Sequence, residues 1–184
     1  MPVSPSEAAD ALRDISQTER RSFSAYGYKS AAPQLILWGL LWFLGYSGTY
    51  LVPPATNWIW LAIVIFGAAA SALIGMRGKP RGQQKFSWRI FFTWLAALAF
   101  ISSVVSIFSP FNGKQIGTLF PLFIGWAYVV IGIWMGWRFA IAGLVIVALA
   151  LFGYFQLAPN PFLLWMAFLG GGVLIGTGLW LRRA

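Results

Sequence analysis

The side chains that could do chemistry in this sequence are mostly hydroxyls, because cysteine and histidine are absent and acidic residues are few. All four carboxylates precede residue 20, and no Asp or Glu follows. Metal ligation by thiolate or imidazole, proteolysis by an aspartate pair, and Cys- or His-dependent nucleophilic catalysis therefore lack their residues in the apolar part of the chain. We expect no enzymatic activity, no catalytic or metal-binding residue and no cofactor.

A small set of hydroxyl groups falls inside the apolar segments. Ser102 and Ser106 are four residues apart, so a helix places both on one face. Together with Tyr46, Tyr128 and Tyr154 they are candidates for the wall of a neutral pocket or narrow pore. The alternative is hydrogen bonding between helices, at about 0.6 kcal/mol per contact in membrane proteins. We favour that structural interpretation.

The elements that would position these groups are apolar runs long enough to cross a membrane. The chain has 184 residues, of which 59% are hydrophobic and only 9% are charged. A bilayer core of about 30 Å is crossed by about 20 helical residues. Runs of about this length lie at 34–52, 57–76, 88–108, 118–137, 139–156 and 162–181. We predict an all-α polytopic membrane protein with six transmembrane helices in three hairpins. Because only Trp137-Arg138 interrupts the apolar sequence between the fourth and fifth runs, five spans with one long bent helix is the alternative.

Basic residues indicate how such spans are oriented. A six-span arrangement puts Lys114 alone on one side. The other twelve basic residues fall on the opposite side: Arg13, Arg20, Arg21, Lys29, Arg77, Lys79, Arg81, Lys85, Arg89, Arg138, Arg182 and Arg183. Because cytoplasmic loops carry the excess of Lys and Arg, both termini are predicted to be cytoplasmic. The net charge of +9 then reports orientation in a bilayer, which we expect to be a bacterial inner membrane, rather than affinity for nucleic acid.

The predicted cytoplasmic segment is 1–32, ahead of a six-span bundle at 33–184. Its sequence predicts a helix with Pro5 at the first helical position, and Leu12 and Ile15 continue a narrow apolar stripe along it. The stripe is a candidate contact for a partner helix. A lid over the bundle's own cytoplasmic face is the alternative.

The predicted loop between the second and third spans is strongly basic. Arg77, Lys79, Arg81 and Lys85 are candidates for contact with anionic lipid headgroups or an acidic partner surface. Each basic residue close to an anionic leaflet contributes about 1 kcal/mol of attraction. A role confined to setting the topology is the alternative that we favour.

Two G-x-x-x-G patterns lie in the later spans. Gly132 and Gly136 belong to the fourth run, and Gly172 and Gly176 to the sixth. Small residues at this spacing let two helix backbones approach closely in lipid. We expect them to pack helices within the chain, and the alternative is contact with a second copy or another membrane subunit.

These observations favour a non-enzymatic inner-membrane protein that acts by association, as an accessory, regulatory or stress-related component. In chain length and span count it is similar to small six-span bacterial membrane proteins of acid resistance, a likeness of shape from which no residue role is taken. The alternative is a facilitative channel or carrier for a neutral or apolar solute or lipid. Ion coupling is not expected, because it relies on intramembrane acids or histidine. A polar-lined passage would favour transport, and a core filled by large apolar side chains would favour association.

Overall fold

The computed structural model describes residues 5–77 and 88–183, with side chains at 27–76, 92–93 and 95–183. Every regular element in these ranges is helical, which confirms the all-α prediction for this part of the chain. The elements are α1 (Pro5–Leu51), a 3-10 turn (Pro53–Ala55), α2 (Thr56–Arg77), α3 (Trp88–Phe108), α4 (Gly113–Met135), α5 (Trp137–Gln156), α6 (Pro159–Trp165), a π-helical segment (Met166–Gly170) and α7 (Gly171–Arg182).

Four helices of the described residues are long and apolar enough to cross a membrane. They are Pro53–Met76, Gly113–Met135, Trp137–Gln156 and Pro159–Arg182, the last of which joins α6, the π-helical segment and α7 end to end. The fold is therefore compatible with a helical membrane protein. The predicted break between the fourth and fifth runs is also seen, but at Gly136 rather than at Trp137-Arg138. Gly136 separates α4 from α5 with a φ of 139° that an L-residue rarely adopts.

The beginning of α4 lies five residues before the predicted run, and a capping box explains the difference. The Asn112 side chain accepts a hydrogen bond from the Gln115 backbone N–H at 2.8 Å, while the Gln115 side chain accepts from the Asn112 N–H at 2.9 Å. Each bond satisfies a backbone donor that the first helical turn leaves unpaired. The helix therefore starts at Gly113.

Helix α1 differs most from the sequence expectation, because it continues without a break from the N-terminal segment into the first apolar run. Its 47 residues correspond to about 70 Å, more than twice the thickness of a bilayer core. Pro33 lies inside it, and a proline removes only one helical hydrogen bond when neighbouring contacts hold the helix. The division of the chain at residue 32 therefore coincides with no end of a helix, and it stays a prediction.

Close backbone contact joins α1 to α7. A Cβ added at Gly39 would lie 2.7 Å from the carbonyl oxygen of Gly171, and one added at Gly178 would lie 2.8 Å from that of Ala32. The two small residues on each helix are seven positions apart, and the pairs run in opposite directions. A repeat of seven keeps one face toward the partner over two turns. The helices are therefore antiparallel and packed backbone to backbone.

The second close pair is α4 with α5. A Cβ at Gly125 would lie 3.0 Å from the Gly143 carbonyl oxygen, and one at Gly132 would overlap the backbone of Ala140. Gly125 and Gly132 are again seven residues apart. The spacing of seven, rather than the predicted spacing of four, therefore marks both tight interfaces.

Large apolar side chains fill the space between the helix pairs. Leu35, Phe162, Met166 and Leu174 are at most 2% exposed, and Trp42 of α1 packs beside them. By contrast, α3 lies at the edge of the bundle, where Ile101 is the buried side chain among those that the structure describes on this helix and Phe100 stacks on Phe123 of α4. The core therefore belongs to α1, α5, α6 and α7, with α2 and α4 packed around it.

Candidate functional site

The five hydroxyl residues expected to line a neutral pocket are not brought together. Ser102 and Ser106 are exposed on α3, where the Ser106 hydroxyl donates to the Ser102 carbonyl at 2.8 Å. Tyr46 is buried, whereas Tyr128 and Tyr154 lie at opposite ends of the bundle. Hydroxyls that bond within their own helix or the core do not line a shared cavity.

The Tyr46 hydroxyl has a structural partner. It donates to the carbonyl oxygen of Gly117 at 2.6 Å, and the ring is 2% exposed. Gly117 precedes Pro121 by four residues, so the N–H that would normally bond its carbonyl is missing. In an apolar environment an unpaired carbonyl is unfavourable by several kcal/mol. Tyr46 therefore completes the hydrogen bonding of α4 at its proline.

Tyr128 and Tyr154 each pack against one end of the bundle. The Tyr128 ring stacks on Phe139, with centroids 6.1 Å apart and planes at 9°. The centroid of the Tyr154 ring lies 5.2 Å from the ammonium nitrogen of Lys114. The same ammonium donates a hydrogen bond to the Leu157 carbonyl at the C-terminal end of α5. Because the end of a helix carries partial negative charge, the lysine stabilises it.

Indole and amide donors are also used between helices. Trp38 Nε1 donates to Ser71 Oγ at 3.1 Å, and Gln34 Nε2 donates to the Ser71 carbonyl at 3.0 Å. On the other side of the core, Trp165 Nε1 donates to the Leu149 carbonyl at 3.0 Å. Among the described residues, no buried side-chain nitrogen or oxygen lacks a hydrogen-bond partner. These polar groups hold helices together rather than facing a passage.

The glycines of the two G-x-x-x-G patterns are placed differently. Gly132 packs against Ala140 of α5, and Gly136 forms the turn, where an added Cβ would overlap the Tyr28 hydroxyl. Gly172 and Gly176 are exposed, and a Cβ at either would meet no atom within 4 Å. This differs from the expectation of packing within the chain. The physical reason is that the neighbouring face, with its seven-residue spacing, is the one turned toward α1.

The candidate partner and lipid contacts fall outside what the structure describes. The structure does not describe the range 78–87, which contains Lys79, Arg81 and Lys85. Leu12, Ile15 and Arg77 lie in helical backbone, but their side chains are outside the described set. Their proposed contacts remain predictions.

A cluster of aromatic rings surrounds Arg138 where α1, α5 and α7 meet. Its guanidinium carbon lies 5.5 Å from the Tyr28 ring centroid, 5.9 Å from Trp137 and 5.0 Å from Trp180. Trp137 and Trp180 are themselves in edge contact at 5.5 Å. Cation–π contacts attract a guanidinium within about 6 Å of a ring centroid. The three rings therefore hold this half-buried arginine in place. Its neighbours in the sequence include no acidic residue.

A groove of about 280 Å³ lies next to this cluster on the outside of the bundle, between α5 and α7. Four of its lining residues are exposed, and Trp180 belongs both to the groove and to the arginine cluster. The lining is Ile141, Ala142, Val145, Val173, Gly176, Thr177 and Trp180. Because four of the seven lining residues are exposed, the groove opens at the surface of the bundle.

Sequence reasoning missed both the arginine cluster and the role of Tyr46. A signal existed for the second, because a proline inside an apolar helix leaves one carbonyl four residues earlier in need of a donor. The cluster had no sequence signal, since Tyr28, Arg138 and Trp180 are far apart in the chain.

The fold and these contacts define the class as an all-helical protein with apolar, membrane-compatible helices and a filled core. No family model, no curated protein and no solved structure matches the chain.

Proposed function

We propose that this chain is a six-span integral protein of the bacterial inner membrane that acts without catalysis, by association with other proteins. The four apolar helices supply four spans. The second half of α1 and the 21 residues of α3 supply the other two. The proposal extends to both termini being cytoplasmic.

The contacts at the two ends of the bundle support this orientation. Tyr28, Arg138 and Trp180 meet at one end, and Arg182 and Arg183 follow at the end of α7. Lys114 lies at the opposite end with Leu157 and Tyr154. The basic end is cytoplasmic under the positive-inside rule.

The observation that carries association rather than transport is the filled interior. Aromatic and aliphatic side chains occupy the space between the helices, and backbone contacts at Gly39 and Gly171 leave no gap between α1 and α7. The polar groups inside the spans, such as Tyr46 and Trp38, already have partners. A pathway for facilitated transport of a neutral solute needs unpaired polar groups or open space along the bundle axis. No specific observation on the described residues favours such a pathway.

The continuity of α1 supports the first half of this helix as the location of the proposed association. A helix that is packed in the core at Leu35 and Trp42 extends without a break to Pro5. A partner bound to its first half would be held by an element continuous with the core. The predicted stripe at Leu12 and Ile15 is the surface that we propose for that contact.

A site-specific photo-crosslinker in living cells tests the proposal. We expect a protein adduct from position Ile15 and none from Gln17, which a helix places on nearly the opposite face and which serves as the matched control. Equal labelling at both positions, or adducts with lipid alone, would contradict it. Faster uptake of a neutral solute by proteoliposomes than by empty liposomes would favour the carrier instead.

A further inference from the structure

We propose that the cluster around Arg138 and the groove beside it form a binding site for one anionic phospholipid. The phosphate of the headgroup would contact the Arg138 guanidinium, and one acyl chain would lie in the groove between α5 and α7. The proposal rests on the proposed membrane location, and the basic end of the bundle assigns the lipid to the cytoplasmic leaflet.

Charge complementarity supports the headgroup part of the site. Arg138 is half-buried and held by three rings, so its guanidinium is fixed in place before a ligand binds. No acidic residue follows Glu19 in the sequence, so the membrane part offers no carboxylate to neutralise it. A planar guanidinium binds phosphate with two parallel hydrogen bonds. A lipid phosphate therefore supplies the anion that the helical bundle lacks.

The helices align the groove with this arginine. Ile141, Ala142 and Val145 follow Arg138 at three, four and seven residues, which places all of them on one face of α5. On α7 the lining runs from Trp180 back to Val173, about 10 Å along the axis. The site is thus charged at its end and apolar along its length, which is the distribution of a phospholipid.

Two further features suit a lipid at this place. Gly176 leaves the groove open, because a Cβ there would meet no atom within 4 Å. Trp137 and Trp180 are exposed beside the arginine, at the level where indole rings prefer the headgroup region. Arg183 lies just after the end of α7, where its backbone N–H donates to the Trp180 carbonyl at 3.3 Å, so the chain has a second cation at the charged end of the site.

Native mass spectrometry of the full chain in mild detergent tests the site. The probes are phosphatidylglycerol and phosphatidylcholine with identical acyl chains, added in a titration. We expect one phosphatidylglycerol to bind with at least fivefold preference. Arg138→Gln should weaken that binding about fivefold, the effect of one cation near an anionic headgroup. Arg182→Gln is the charge-matched control, because Arg182 lies away from the face of Trp180, and it should leave binding within twofold.

The apolar part has its own matched pair of variants. Gly176→Leu should fill the groove and weaken phosphatidylglycerol binding at least fivefold. Gly172→Leu adds the same side chain in equally open space one turn away, outside the groove lining, and should leave binding unchanged. Equal binding of the two lipids, or equal effects of the two glycine variants, would overturn the proposal. Since the measurement involves no protein partner, its failure would leave the proposed association at Leu12 and Ile15 standing.

Discussion

The Tyr46 hydroxyl donates its hydrogen bond to the Gly117 carbonyl, at 2.6 Å, where Pro121 has removed the helix's own donor. Tyr46 thereby acts as a substitute for a backbone N–H. The same side chain makes edge contacts with Trp60 and Phe162, at 5.1 and 6.4 Å between centroids. One residue of α1 therefore couples the core aromatic rings to the irregular turn of α4.

Tyr46→Phe should lower the free energy of unfolding by about 1–2 kcal/mol, because the ring contacts remain while the Gly117 carbonyl loses its partner. Unfolding in mixed micelles measures the change. Tyr50→Phe, at an exposed position on the same helix, is the control and should have no effect.

The double variant tests the mechanism of this effect. Pro121→Ala returns an N–H to position 121, so the Gly117 carbonyl regains a helical partner. Tyr46→Phe in that background should then be nearly neutral. If its effect is as large as in the wild-type background, the hydroxyl does not replace the missing donor.

Gly39→Ala should destabilise the bundle by about 1–3 kcal/mol, because its Cβ would lie 2.7 Å from the Gly171 carbonyl oxygen, a backbone atom that cannot move aside. Gly172→Ala is the matched variant on the open face of α7. It should be neutral or stabilising by up to about 1 kcal/mol, since alanine favours the helix. Similar losses in both variants would contradict the close pairing of α1 with α7.

Gly136→Ala should destabilise by about 1–3 kcal/mol through its positive φ alone, with an added loss from contact with Tyr28. Gly113→Ala, where a Cβ meets nothing within 4 Å, is the control. Thermal unfolding in detergent compares the two. An equally stable Gly136→Ala protein would show that α4 and α5 can be joined by another turn.

Lys114→Gln should lower stability by about 0.5–1 kcal/mol, because the cation at the end of α5 is lost. The effect should shrink at high salt, since a partly exposed charge is screened. Lys29→Gln removes an exposed charge at the other end of the bundle and should change little. A salt-independent loss at Lys114 would point to packing instead.

Helix positions follow well from this sequence, because long apolar runs and proline-rich turns are local signals. The run at 88–108 matches α3 at its end, Phe108, and the described part of the chain is helical from Trp88 onward. Which face of a helix packs against which neighbour is hard to predict from the sequence, because lipid-facing and buried faces are both apolar in such a chain. Gly172 and Gly176 therefore resembled a packing face, while Gly171 and Gly178, on the adjacent face, make the contact.

The N-terminal helix illustrates a second limit. The capping pattern predicts a helix that starts at Pro5, and the structure, which describes the chain from that residue onward, is helical there. Its continuation through Pro33 depends on packing from Tyr28 onward, which no local pattern reports. Contacts between distant segments, such as Arg138 with Tyr28, were beyond sequence reasoning for the same reason.

The pairing of α1 with α7 also bears on how the protein is made. The small-residue face of α1, at Ala32 and Gly39, has its partner about 130 residues later in the chain. At about 5–20 residues per second, the ribosome needs on the order of ten seconds to supply it. During that interval α1 has been synthesised, but the helix that packs closest to it has not. In a chain stopped before Gly171 this face has no partner, so packing of the bundle is completed by its last helix rather than its first.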